Sequence, residues 1–278
     1  MRKFGILGYP LGHTLSPQIH ERLFKLSGHD DSYEVYEVPP ANLPEFAKGL
    51  KSFAGLNVTI PHKVSVLSYI DELDESAKRY HAVNLITGGD KLTGYNTDYY
   101  GFCKTAEILG ADLSESVCVL GAGGAGRMFA THAAFCGAPV TIAVRESAIA
   151  TALSLKQEIC KQHPTARVRI VDILSLHTLG EEFNLLINAT PVGMHPHQNE
   201  TPVQQELLPH CRFVFDAIYN PEETLLLKMA RKSGCKAIGG MAMLVWQAVR
   251  AHEIWDNSVY NTQDILKIIC EMTDILTK

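Results

Sequence analysis

Lys63 stands where stability alone would not place it. The run Asn57-Val58-Thr59-Ile60 has the β-branched pattern of a strand and Pro61 suits the first position of a helix, so Lys63 falls in that helix's first turn. A cation there faces the positive end of the macrodipole, at a cost of about 0.3–1 kcal/mol. A lysine whose charged form is disfavoured suits proton transfer, which makes Lys63 the first candidate for general acid/base work; the plain alternative is a snorkelling surface lysine. Asp98, in Gly94-Tyr95-Asn96-Thr97-Asp98, is the second candidate, and its alternative is a helix cap. The same alternative applies to Ser16 in Leu11-Gly12-His13-Thr14-Leu15-Ser16-Pro17, with Pro17 at N1. Thr14 and Ser16 alternate in an extended loop, so both hydroxyls can face one side as donors to a carboxylate. Asn84 interrupts the apolar strand Ala82-Val83-Asn84-Leu85-Ile86, where a polar amide requires a partner or a ligand.

A second kind of chemistry is written in Gly121-Ala122-Gly123-Gly124-Ala125-Gly126. The apolar strand Val117 to Leu120 leads into it, and Arg127 to Cys136 follows as a helix stopped by Gly137-Ala138-Pro139. This is G-x-G-x-x-G in the strand-turn-helix setting of a dinucleotide site. The first glycine permits the tight turn, the second a close approach to a pyrophosphate and the third tight helix-to-strand packing, with the amides of the helix N-terminus aimed at the anion. The next strand ends Ile142-Ala143-Val144-Arg145-Glu146. An arginine at that point meets the 2′-phosphate of NADP, whereas a carboxylate takes the ribose hydroxyls of NAD. Arg145 comes first and favours NADP; Glu146, one place later, keeps NAD open.

The elements that must position these groups alternate as strands and helices, an α/β pattern. The first half reads as strands 4–8, 33–38 and 55–60, helices 17–26, 43–50 and one from Pro61, then a hairpin of 82–87 and 92–95 turning at Gly88-Gly89-Asp90. The second half holds six candidate strands, 117–120, 140–144, 168–172, 185–189, 213–218 and 236–238, the number of a full doubly wound sheet. Helices are expected at 241–255 and 262–276. The expected organisation is an N-terminal α/β substrate domain, 1–100, with 240–278 packing back on it, and a Rossmann-type domain over 101–239. A cleft between the two would hold the chemistry, with Gly239-Gly240 as a possible hinge.

Composition narrows the function classes. The chain has 278 residues, 46% of them hydrophobic, and a net charge of −5 from 25 Lys plus Arg against 30 Asp plus Glu. There is no basic stripe, which argues against a nucleic-acid partner or a membrane-surface anchor. The Phe4–Gly8 run is too short for a signal-peptide core and no run approaches about 18 apolar residues, so a cytoplasmic location is expected. Seven widely spaced cysteines without Cys-x-x-Cys read as reduced thiols. His195-Pro196-His197 lies in a Pro-rich loop with no carboxylate or Cys beside it, and no metal is expected.

Taken in order, Gly12 to His20, Asn57 to Lys63, Ala82-Val83-Asn84, Asn96-Thr97-Asp98, Gly121 to Gly126, Asn188 to Met194 and Met243 to Gln247 resemble the motifs of the shikimate dehydrogenases, over nearly the whole chain. The resemblance implies that Lys63 and Asp98 are the catalytic pair. It implies that Thr14, Ser16, Thr59, Asn84, Tyr219 and Gln247 contact the hydroxy acid. Gly121, Ala122, Gly123, Gly124, Ala125, Gly126, Arg145, Thr190 and Gly240 would contact the dinucleotide, NADP with NAD possible. The implied activity is reversible reduction of 3-dehydroshikimate to shikimate in aromatic amino acid (chorismate) biosynthesis, by a monomer or homodimer. A quinate/shikimate dehydrogenase using NAD is the near alternative, and a ligand-binding homologue without turnover a remoter one. Two departures stand out. Thr14 replaces the family's usual serine, and Arg145-Glu146 lacks the second arginine of the NADP-type members.

Overall fold

The computed structural model describes residues 2–12 and 14–276; His13 of the Gly12–His20 motif and the last two residues of the tail lie outside them. The chain divides into two compact units. One comprises the described residues up to Gly101 together with Leu244–Ile275, and the other is built from Phe102–Met243.

The first unit is a mixed six-stranded sheet. Its strands are β1 (Lys3–Gly8), β2 (Ser32–Glu37), β3 (Gly55–Val58), β4 (Glu72–Leu73), β5 (Leu85–Thr87) and β6 (Thr93–Tyr95), in the order β2-β1-β3-β5-β6-β4. β2, β1 and β3 run parallel, while β5 and β6 form the expected antiparallel hairpin against β3. Its helices are α1 (Ser16–Ser27), α2 (Leu43–Ala47), α3 (His62–Ser65), α4 (Glu75–Tyr80) and the start of α5 (Asp98–Leu109). The core gathers Leu7, Leu43, Leu56, Val58, Val83 and Ile86 on one side of the sheet. Trp255, from the tail, lies on the other and packs against Phe4 with tilted rings, centroids 4.9 Å apart. Gly55 makes room for it, since a Cβ there would come within 2.2 Å of the indole Nε1.

Two expectations need correction here. The strand stops at Val58, and Pro61 occupies the N-cap of α3 instead of its first turn. α3 is a single turn of four residues continued by a 3₁₀ turn, Val66–Tyr69. So few aligned peptides make a weak macrodipole, and the position of Lys63 must be explained by its contacts. β4 and α4 were not expected from the apolar pattern, being short and mostly polar; the signal for α4 is Asp74, whose carboxylate accepts the Ser76 N–H at 2.8 Å as an N-cap.

The second unit is an all-parallel sheet: β7 (Val117–Leu120), β8 (Pro139–Val144), β9 (Arg167–Asp172), β10 (Phe183–Asn188), β11 (Cys211–Asp216) and β12 (Lys236–Ile238), ordered β12-β11-β10-β7-β8-β9. Numbered within the unit this is 3-2-1-4-5-6 read from the other edge, the doubly wound order. Its helices are α6 (Gly124–Phe135), α7 (Ile149–Gln162) and α8 (Leu225–Lys232); 3₁₀ turns, Ile173–Leu179 and Gln205–His210, take their place in the two remaining crossovers. β7 and β10 are buried along their whole length, as strands covered on both faces must be. α9 (Met241–Asp256) and α10 (Thr262–Leu276) close the described chain, and the division between the units falls inside α5 and α9. No helix of the described residues is long and apolar enough to cross a membrane.

One buried pair in the first unit sets an acid limit on stability. His20 of α1 and His252 of α9 are fully buried, with Nδ1 and Nε2 3.0 Å apart, and His20 stacks on Tyr33 at 4.0 Å between centroids. Burial, reinforced by the charge of His252, holds His20 well below the usual histidine range. Burial and then the charges of His29 and Arg2 bring His252 down to about 3. Below an ordinary histidine pKa of about 6.5 the unfolded chain takes up protons that the fold refuses, so stability present above that pH is lost as pH falls toward 3. The buried Asp216 has the opposite sign: burial raises it to about 6, so its fold gains relative stability on acidification through that pH. Thermal melts of the wild type between pH 7 and pH 4 should show a falling Tm, and the slope should be shallower in His252→Phe. Equal slopes in the two proteins would remove the histidine pair as the cause.

Candidate active site

Lys63 and Asp98 meet. Lys63 Nζ donates to Asp98 Oδ2 at 2.6 Å, in an ion pair whose side chains are 29% and 17% exposed, enough for a ligand to reach. α3 presents the lysine directly after β3, and α5 presents the aspartate directly after β6. Asp98 does not cap its helix with its side chain in any bond described. Asn96 does that work: its Oδ1 accepts the Asp98 N–H at 3.1 Å. Its amide also donates to Ala82 O at 3.1 Å, and its own N–H is taken by Ser76 Oγ at 3.0 Å. Asn96 escaped the sequence reading, although an Asn two residues ahead of a helical Asp is an Asx-turn signal.

Asn84 holds the other carboxylate oxygen. It is almost completely buried, and its Nδ2 donates to Asp98 Oδ1 at 2.8 Å and to Thr97 Oγ1 at 3.0 Å. Its Oδ1 accepts the Thr97 N–H at 2.6 Å. The polar amide in an apolar run is thus satisfied by protein, and the residue it fixes is the partner of Lys63. Gln247, on α9, lies 3.5 Å from the Thr97 hydroxyl and donates to Leu244 O at 2.9 Å.

Thr14 and Ser16 also come together: Thr14 Oγ1 donates to Ser16 Oγ at 3.1 Å and accepts the Ser16 N–H at 3.2 Å. Ser16 is the first residue of α1, and among the described residues the N-cap position, Leu15, makes no side-chain cap bond. Its buried hydroxyl keeps its own proton to donate, so the capping alternative for Ser16 does not describe the fold. Glu37, also unmarked in the sequence, accepts the N–H groups of Leu11 and Gly12 at 2.6 and 3.3 Å and fixes the loop ahead of Thr14. Thr59 is partly exposed and packs its methyl where a Cβ on Gly8 would sit, 2.5 Å away. Tyr219 belongs to the second unit, where burial raises its hydroxyl above the usual tyrosine range.

The glycine loop behaves as its spacing requires. Gly121 has φ +98°, open to glycine at little cost, and a Cβ on Gly126 would lie 2.3 Å from Gly121 O. Positions 123 and 124 meet nothing within 4 Å, so the backbone there is free to be approached at the N-terminus of the 12-residue α6. These features fit a dinucleotide diphosphate. Arg145 and Glu146 follow β8 in an exposed turn, and neither is ion-paired among the described residues. Thr190 and Val192 lie in the loop after β10. Gly240 is not a slack hinge: its N–H donates to Ile218 O at 2.9 Å, and a Cβ would strike Ala217 O at 2.3 Å. No cluster of metal-ligating side chains occurs among the described residues.

Residues 6–86 match the shikimate dehydrogenase substrate binding domain. A shikimate dehydrogenase (NADP(+)) of Caldanaerobacter subterraneus subsp. tengcongensis is 38% identical over 93% of this chain and 92% of its own. One from Bacillus subtilis is 34% identical over 96% and 95%. The chain belongs to the shikimate dehydrogenase family. Its fold is similar to that of the Thermus thermophilus shikimate 5-dehydrogenase in complex with NADP(H) and shikimate, with a TM-score of 0.86 and 31% identity over 98% of this chain and 99% of that one. The α/β architecture with a Rossmann-type parallel sheet is therefore the family's own.

Within this family member, the buried amide of Asn84 is the support that can be tested apart from turnover. Asn84→Ala leaves the Thr97 N–H buried without its acceptor and frees one oxygen of Asp98. Denaturant unfolding should show a loss of about 1–3 kcal/mol. An unchanged midpoint and slope would mean that Asn84 does not hold the Thr97–Asp98 corner.

Proposed function

We propose that this chain catalyses the reversible, NADP-dependent reduction of 3-dehydroshikimate to shikimate, a step in the biosynthesis of chorismate and the aromatic amino acids. The observation that carries the reading is the 2.6 Å contact of Lys63 Nζ with Asp98 Oδ2, itself fixed by Asn84. The kinship with NADP(+)-named shikimate dehydrogenases supports both the substrate and the cofactor.

Lys63 holds the proton that the ketone oxygen needs as it becomes an alkoxide, and takes it back in the reverse direction. Asp98 restricts the lysine's rotamers and balances its charge in both directions. Ser16 binds the carboxylate of the hydroxy acid by donating its proton, and Thr14, bonded to the Ser16 hydroxyl, orients it. Thr59, Tyr219 and Gln247 bind the acid's hydroxyls, while Asn84, expected to touch the substrate, has both amide atoms taken by protein and acts by holding Asp98. Gly121–Gly126, Arg145, Thr190 and Gly240 hold the dinucleotide, whose reduced nicotinamide supplies the hydride when bound. A binding homologue without turnover needs neither a proton donor nor an orienting carboxylate, and the intact pair argues against it. We further infer a cytoplasmic enzyme, monomer or homodimer, with no nucleic-acid partner: the charge is mildly negative and the seven cysteines form no disulfide among the described residues.

The exposed Glu146 beside Arg145 favours one second reading, an NAD-linked quinate/shikimate dehydrogenase. Steady-state assays with shikimate or quinate, each with NADP and NAD, separate the two: the first reading expects the highest kcat/KM for shikimate with NADP, and the second for NAD. Lys63→Ala should lower kcat by about 10²-fold or more with a much smaller change in KM. A mutant turning over near the wild-type rate would remove Lys63 from the chemistry. Arg145→Ala should raise KM for NADP strongly and leave KM for NAD almost unchanged, because its planar fork has no phosphate to meet in NAD. Equal effects on both would dismiss Arg145 as the phosphate reader.

A further inference from the structure

Asp216, the last residue of β11, has no part in the proton chemistry, yet it is completely buried. Among the described residues no lysine or arginine bonds to its carboxylate. Oδ1 accepts from Asn188 Nδ2 at 3.0 Å and from the Ile218 N–H at 3.1 Å, and Oδ2 accepts the Thr224 hydroxyl at 2.7 Å. Burial is the larger influence and raises its pKa to about 6 in spite of these three donors. Both carboxylate oxygens are met by donors, so the group serves here as an acceptor. A buried charge met by neutral donors alone is costly, and a fold that keeps one must get something from its polarity.

That polarity passes to the next strand. Asn188 ends β10, and its Nδ2 is claimed from one side by two acceptors, Asp216 Oδ1 and Val192 O at 3.2 Å. Its Oδ1 must then face the other way, where it accepts both the Thr190 N–H at 3.0 Å and the Thr190 hydroxyl at 2.7 Å. The Thr190 Oγ1 in turn accepts the Val192 N–H at 3.3 Å. We propose that Asp216 is a positioning residue of the dinucleotide site, fixing the orientation of the Asn188 amide and, through it, the Thr190–Val192 loop. The inference rests on the proposed role of Thr190 toward the cofactor.

One consequence is a statement about the ligand atoms that Thr190 can meet. Its N–H and its hydroxyl proton are both spent on Asn188, so it offers a bound group a lone pair only. A lone pair suits a donor, such as a ribose hydroxyl or a carboxamide N–H, and repels phosphate oxygens. Thr190 is thereby assigned to the uncharged, donor-bearing part of the dinucleotide, and the diphosphate to the glycine loop.

The test is NADP+ binding to the full chain, measured by isothermal titration calorimetry well below each variant's Tm and without substrate. Asp216→Ala removes the acceptor and should weaken Kd by about tenfold or more. Asp216→Asn can keep an oxygen toward Asn188 and Ile218 while turning its amide to Thr224 Oγ1, and should stay within about threefold of wild type. Should the alanine variant fail to fold, Asn188→Asp sets two carboxylates against each other and should weaken Kd by a similar factor. A purely structural role would lower Tm in Asp216→Ala and leave Kd unchanged. Wild-type Kd in folded Asp216→Ala, or a loss in Asp216→Asn as large as in Asp216→Ala, overturns the positioning role alone. A wild-type protein that does not bind NADP+ overturns the cofactor reading and this inference with it.

Discussion

The contact between Lys63 and Asp98 is the constraint around which the first unit is arranged. Neither side chain is placed by its own element, since a one-turn helix leaves the long lysine many rotamers and the first residue of α5 leaves the aspartate free to turn. The sheet supplies the missing restraint. Asn57 pairs with Leu85 and Leu85 with Tyr95, which aligns β3, β5 and β6 so that their ends deliver Lys63, Asn84 and Asp98 to one place. Asn84 continues this ladder, accepting the Val58 N–H at 2.8 Å and donating to Tyr95 O at 3.0 Å. A register slip of one residue would turn its amide to the opposite face and leave Asp98 without that support.

The second unit repeats the device with different residues. Asn84 stands between Asp98 and the Thr97 N–H; Asn188 stands between Asp216 and the Thr190 N–H. In each case an amide, which has both polarities, is held to one orientation by an acceptor-only carboxylate on one side and a backbone donor on the other. Burial sharpens the choice, because an unmatched polar atom costs most where water cannot reach it. In the first unit the carboxylate stays partly exposed and meets the lysine; in the second it is sealed and meets only neutral donors.

The two units also differ in what limits them. The glycine loop depends on absent side chains: a φ of +98° at Gly121 and a contact at Gly126 that no Cβ could share. The Thr14–Ser16 loop depends on present ones, with Glu37 gathering its backbone amides and the two hydroxyls bonded to each other. Substitutions should accordingly be tolerated differently, through added volume at the first and through lost hydrogen bonds at the second.

The sequence by itself determined the six parallel strands of the second unit, the glycine turn and the hairpin, because each is specified by local pattern: buried apolar runs, glycines at fixed spacing, and turn residues between short strands. It also singled out Lys63, Thr14 and Asn84 as polar groups in demanding places, and Asp98 and Ser16 as candidates whose local alternative was a helix cap. It misjudged the reason for Lys63, since helix length is cooperative and one Pro-led turn looks like the start of any longer helix. It passed over Asn96, Glu37 and Asp216, each of which is an ordinary polar residue at the end of a strand until its partners are known. Only the tertiary structure decided that Asp98 faces a lysine 35 positions away, that the Ser16 hydroxyl does not cap its helix, and that Asp216 is sealed among neutral donors. Spacing along the chain encodes which face of an element a residue occupies, whereas the partner across a sheet is fixed by packing the whole core, and that information is distributed over residues that carry no chemistry themselves.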